Sequence, residues 1–93
     1  MSLASYTELL TYAIEHKFTI GAFNSLNLET LQAVVSAANK MNSPLIVQTY
    51  HEHAEYAGAD YMAALANVAA KNINVKIAMG LDHGQSYEQA KKC

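Results

Sequence analysis

The side chains best suited to chemistry fall in a few short stretches. Asp82-His83-Gly84 sets a carboxylate beside an imidazole. Neighbouring residues at the end of a strand point in different directions, so one can hold a metal ion while the other handles a proton. Gly80 and Gly84 flank the pair, which lets backbone or substrate come close. On spacing alone, a polar strand terminus that only caps the next helix accounts for the same residues. His51-Glu52-His53 is the second stretch. An H-x-H pair can ligate a metal from a strand, yet this one sits beside Glu55 in a polar run that reads first as a solvated loop. Asn24 is the third, an amide that either contacts a ligand or caps the helix after it. His16 next to Lys17 suits the negative end of a helix and is read as structural.

The elements that must position these groups follow from periodicity. Ser5 with Glu8 makes a capping-box pattern, and Tyr6, Leu9, Leu10, Ala13 and Ile14 recur at helical spacing, so residues 5–16 are expected to be helical. Bulky and β-branched residues at 18–23 predict a strand. A polar turn, Asn24 to Asn27, leads to a helix over 28–41 with Leu28, Leu31, Val35 and Ala38 on one stripe. Pro44 stops that helix, and Leu45 to Tyr50 is an apolar run of strand length. A loop is expected from His51 to Gly58. A helix then begins at Asp60 and carries Met62, Leu65, Ala66 and Ala69 on its inner face. Residues 75–79 form the third expected strand, and Ser86-x-x-Gln89 the first turn of a last helix.

Strands starting near 18, 45 and 75 with a helix in each interval make two β-α-β units. Right-handed crossover turns these into parallel strands with helices packed outside. No G-x-G-x-x-G or Walker pattern follows any strand, which argues against a nucleotide-binding half of a doubly wound sheet. A (β/α)8, or TIM, barrel places its reactive residues at the C-terminal ends of its strands. Asn24, the His51–His53 stretch and Asp82-His83 all fall there, so the α/β TIM-barrel reading is favoured. Such a barrel needs about 250 residues. The 93 residues present are therefore expected to be one segment of it, residues 1–93, comprising a lead-in helix and roughly three βα units. Its outer strands would have open edges, which predicts a self-associated homo-oligomer.

Composition sets the remaining bounds. Six Lys+Arg against eight Asp+Glu give a net charge of −2 with no basic cluster, which removes the electrostatic case for nucleic acid. One cysteine, Cys93, cannot form an internal disulfide and favours a reducing, cytoplasmic setting. The first residues show no secretory signal pattern. No apolar run approaches the ~18–20 residues of a membrane span.

Three blocks carry a family resemblance: Gly21-Ala22-Phe23-Asn24-Ser25-Leu26-Asn27-Leu28-Glu29-Thr30-Leu31-Gln32-Ala33, Ala37-Ala38-Asn39-Lys40-Met41-Asn42-Ser43-Pro44-Leu45-Ile46-Val47-Gln48, and Leu81-Asp82-His83-Gly84-Gln85-Ser86. In order and spacing they resemble the N-terminal third of the class II, zinc-dependent fructose-bisphosphate and tagatose-bisphosphate aldolases. The resemblance implies a TIM barrel, a Zn2+ cofactor, a dimer or tetramer, and a phosphorylated sugar substrate. The implied reaction is reversible cleavage of a ketose 1,6-bisphosphate to glycerone phosphate and an aldehyde phosphate. It further implies that His83 is the first of three zinc-ligating histidines, that Asp82 moves the proton of the aldol hydroxyl, and that Asn24 lies by the substrate. Two positions depart from the family pattern: Gly80 where His is common, and Tyr50 where Ser or Thr is common. The other two zinc histidines and the phosphate loops belong to later strands, so the 93-residue chain alone is expected to be inactive, since one imidazole does not hold zinc tightly. Two other readings stay open on the residues: a non-catalytic, self-associating aldolase-derived segment, and a small metal module built from His51, His53 and His83.

Overall fold

A three-stranded parallel sheet in the order β1-β2-β3 organises the chain. The structure is a computed structural model and describes residues 3–93, so Met1 and Ser2 of the expected segment lie outside the described residues. Helix α1 (Tyr6–His16) comes first, followed by β1 (Gly21–Asn24), α2 (Leu28–Met41), β2 (Leu45–Tyr50), α3 (His51–Ala57), α4 (Ala59–Lys71), β3 (Ile77–Asp82) and α5 (Tyr87–Lys92). Spatial order equals chain order, as successive right-handed βαβ units require.

The caps explain most boundaries. Ser5 Oγ accepts from the Glu8 amide at the start of α1, while the Glu8 carboxylate turns away to pair with Lys76. Lys17 ends α1 in the left-handed conformation, and the Phe18 amide returns to the Ala13 carbonyl. That wrap uses up residues 18–20, so β1 starts at Gly21 rather than at 18. Asn27 and Thr30 cap α2 reciprocally, each side chain accepting from the other's backbone amide. Asn42, again left-handed, closes α2 just before Pro44. Ser86 Oγ accepts from the Gln89 amide and starts α5 where its pattern predicts.

Alternation sorts the strands' side chains onto two faces. One face carries Leu45, Val47 and Ile77, packed with Leu31, Val35 and Ala38 of α2, with Ala70 of α4, and with Ile73 and Val75. This is the helix-covered outer face of a barrel wall. Of the predicted α2 stripe, Leu28 is the exception and stays exposed. On α4 the predicted Met62 and Ala66 are buried together with Ala70, while the predicted Leu65 and Ala69 are partly buried against the same core.

The other face is where the structure departs from the expectation of helices only outside. Helix α1 packs on it, with Leu9 fully buried against Ile46 and Ala78, and with Ala4 and Ile20 alongside. The Ala4 amide donates to the Ile77 carbonyl and the Glu8–Lys76 pair closes the same side. Of the periodic positions Tyr6, Leu9, Leu10, Ala13 and Ile14, only Leu9 and Ala13 are buried, because α1 meets a narrow three-strand surface along one line only. The second correction concerns residues 51–57. They form helix α3 instead of a loop: no proline or glycine interrupts them, Ala54 is buried, and Ala and Glu support the helical turn.

Candidate active site

Strand register lays the inner-face residues out in rows. Ala22, Ile46 and Ala78 form the first row; Asn24, Gln48 and Gly80 the second; Tyr50 and Asp82 the third. The polar rows are at the C-terminal ends of the strands. The apolar row beneath them is the one α1 covers.

Asn24 and Asp82 come together although β2 runs between their strands. Asn24 Nδ2 donates to Asp82 Oδ2 at 3.0 Å. For side chains two strands apart to meet, the sheet must be concave on this side. Asp82 is the last residue of β3, and His83 follows with φ of 56°, the left-handed region that few side chains adopt. That turn brings the imidazole back, so His83 Nδ1 lies 2.9 Å from Asp82 Oδ1. The pair therefore does not point apart, as adjacency alone suggested; one backbone angle joins it. Asp82 thus accepts a hydrogen bond from an amide at one oxygen and has an imidazole beside the other. Its side chain is 23% exposed against 71% for His83, so the acid is sheltered and the imidazole open.

The other candidates sort differently. Tyr50 places its ring centroid 4.3 Å from that of His51, 5.8 Å from His53 and 5.7 Å from His83. The three imidazoles thus gather around a phenol ring and not around a common point. Among the described residues, no group of three or more His, Cys, Asp or Glu side chains comes together to hold a metal ion. A zinc site takes three or four protein ligands. The described residues do not by themselves fit a zinc ion, and among them His83 is the open imidazole beside the Asp82 carboxylate.

Three groups escaped the sequence reading. Tyr6, on α1, reaches this face: burial raises its phenol above the usual 10.0, a side-chain hydrogen bond with Gln48 lowers it, and the Asp82 charge raises it. Gln48 sits between Asn24 and Gly80 in the second row. Gln89, nearly buried, donates from Nε2 to the His51 carbonyl at 3.3 Å and to Glu55 at 3.1 Å, and its Oε1 accepts from the Gln85 amide at 2.8 Å. It ties α3 to the turn after His83. Only the Ser86-x-x-Gln89 spacing hinted at it. An apolar cavity of about 520 Å³ lies on the other face, with Thr49, Met62, Met79 and Leu81 in its wall and the Cys93 thiol, but no carboxylate, amine or imidazole, among its lining residues. The chemistry belongs to the strand ends, not to that cavity.

Comparison with known proteins decides the family. The family model for class II fructose-bisphosphate aldolase matches residues 4–93. The chain belongs to this family. It is similar to the fructose-bisphosphate aldolase of Geobacillus stearothermophilus, with 38% identity over 98% of this chain and 33% of the relative. It is also similar to the sulfofructosephosphate aldolase of Alkalicoccus urumqiensis, with 33% identity over 99% of this chain and 32% of that protein. The solved YdjI aldolase of Escherichia coli K12 superposes with a TM-score of 0.80 at 26% identity, covering 92% of this chain and 34% of that one. A provisionally assigned fructose-1,6-bisphosphate aldolase from Coccidioides immitis gives a TM-score of 0.83 at 31% identity, over 94% and 33% respectively. The parallel βα units are thus those of an aldolase TIM barrel, and the chain spans about a third of the length of its class II aldolase relatives.

Proposed function

We propose that these 93 residues are the first βα units of a metal-dependent ketose-bisphosphate aldolase, with Asp82 as the group that moves the proton of the aldol hydroxyl. The observation that supports this is the line Asn24–Asp82–His83 at the strand ends, with Asn24 hydrogen-bonded to Asp82 and His83 Nδ1 close to its other oxygen. In cleavage, a carboxylate beside the substrate takes the hydroxyl proton as the carbon–carbon bond breaks; in condensation it returns it. Asn24 donates to Oδ2, which orients the carboxylate and leaves Oδ1, beside His83, to face a substrate. Asn24 has a second amide hydrogen to offer a ligand. His83 would be one imidazole of a Zn2+ set whose other ligands come from elsewhere in the barrel. The substrate is read as a phosphorylated sugar, and the protein as a cytoplasmic homo-oligomer.

The test is release of glycerone phosphate from fructose and tagatose 1,6-bisphosphates, measured on the chain alone and on a complete barrel carrying it. The chain alone is expected to be inactive and the barrel active, with Asp82→Asn lowering kcat by about 10²-fold or more. A barrel that cleaves either ketose bisphosphate equally well with Asn at position 82 would remove the proton-transfer role.

A further inference from the structure

His83 is a largely exposed side chain on an unusual turn. Its φ of 56° is a conformation that a non-glycine residue keeps only where its surroundings hold it. The turn that follows is tied down from α5. Gln89, in the first turn of that helix and nearly buried, accepts the Gln85 amide on Oε1 at 2.8 Å. Gln85 in turn donates from Nε2 to the His83 carbonyl at 3.4 Å. On its other side, Gln89 Nε2 donates to the His51 carbonyl at 3.3 Å and to Glu55 Oε1 at 3.1 Å, both on α3. The position therefore asks for an acceptor towards Gln85 and donors towards α3. A side-chain amide supplies both; a carboxylate has no donor, and an aliphatic group has neither. Tyr50, the residue before His51, sets its ring centroid 5.7 Å from that of His83. The carbonyl that anchors Gln89 and the ring that abuts His83 thus come from consecutive residues.

The geometry points to Gln89 as a positioning residue for His83: it fastens the turn over 83–86 to α3, and so sets where the imidazole stands beside Tyr50 and Asp82. Helix α3 is then the fixed body against which the exit of β3 is registered, and Gln89 is the link between them. What His83 does there rests on the aldolase reading above; its placement by Gln89 does not.

The test is NMR of the chain without substrate, reading the Overhauser contact between the His83 and Tyr50 rings. In Gln89→Leu that contact is expected to be lost while exchange of the β1 amides stays unchanged, the sign that the sheet is intact. Gln89→Glu keeps the amide's size and the acceptor for Gln85, but it loses the donors and sets a second carboxylate against Glu55. The ring contact is expected to be lost there too. Adding Glu55→Gln to Gln89→Glu reverses the direction of the bond between the two positions and is expected to restore the contact. A contact that persists in either single variant would overturn the positioning role, and so would a contact that the double variant does not restore. Should Gln89→Leu unfold the chain, the size-matched Gln89→Glu and its rescue decide the matter. If the ring contact follows this pattern and the complete barrel cleaves no ketose bisphosphate, the aldolase reading fails and the Gln89 assignment stands.

Discussion

Leu9→Ala is the sharpest test of how the inner face is covered. Leu9 is fully buried, with Ile46 and Ala78 as its core partners. The substitution removes three carbons, about 2.4 kcal/mol of transfer free energy at roughly 0.8 kcal/mol per carbon. The cavity left behind adds to this, which brings the expected loss to about 3 kcal/mol, within the range seen for buried leucines. With an urea m-value of about 1.5 kcal/mol/M for a domain of this size, the unfolding midpoint falls by about 2 M. Leu10→Ala, one position along and 46% exposed, is the control and should cost less than about 1 kcal/mol. The assay is urea unfolding followed by circular dichroism, with hydrogen exchange of the Ala4 amide as a local probe. That amide is bonded to the Ile77 carbonyl and should lose protection in Leu9→Ala alone. Equal midpoints for the two variants would mean that α1 is not docked on the sheet.

Three further outcomes are expected. Asn24→Leu frees Asp82 Oδ2 from its 3.0 Å hydrogen bond; in the complete barrel kcat should fall about 10- to 100-fold, the worth of one hydrogen bond to a charged group, and an unchanged kcat would show that Asp82 needs no such support. The Tyr6 phenol is raised in the folded chain, chiefly by burial, so folding favours its protonated form. Its contribution to stability is fully present below the unfolded value of about 10 and is lost as pH rises through the higher folded value; urea midpoints at pH 9 and pH 11 should differ more for the natural chain than for Tyr6→Phe. Gln89→Leu removes the tie between the His51 carbonyl, Glu55 and the Gln85 amide, and hydrogen exchange at Gln85 should speed up while β1 amides are unaffected.

Much of the fold was legible because it is local. The 28–41 helix and the 45–50 strand carry caps, a proline stop and clean periodicity, and they form with those bounds. Strand ends were harder. The β1 start moved because a left-handed Lys17 and its return bond use up three residues, and no composition signal marks that wrap. Residues 51–57 look polar, but polarity does not separate an exposed helix from a loop; only the burial of Ala54 does. Asp82, His83 and Asn24 were nameable from residue type, strand position and family pattern. That they touch was not, because the contact depends on sheet concavity and on a positive φ at a non-glycine residue. Tyr6 was invisible for a similar reason: at helical spacing it reads as one more apolar position, and only Gly80, far along the chain, makes room for it.

The strand order has a consequence for how the chain assembles. Each strand pairs with its immediate predecessor, so the sheet can grow as the polypeptide leaves the ribosome, one β-α-β unit at a time. Helix α1 precedes every strand yet must wait for β3, since besides Ile46 of β2 its partners Ala78, Ile77 and Lys76 belong to the segment at β3. Until β3 arrives, Ile20, Ile46 and Leu9 have no complete cover and offer a sticky surface to other nascent chains. The docking of α1 is thus the event that ends this exposed interval, and the arrival of β3 that permits it also delivers Asp82 to Asn24.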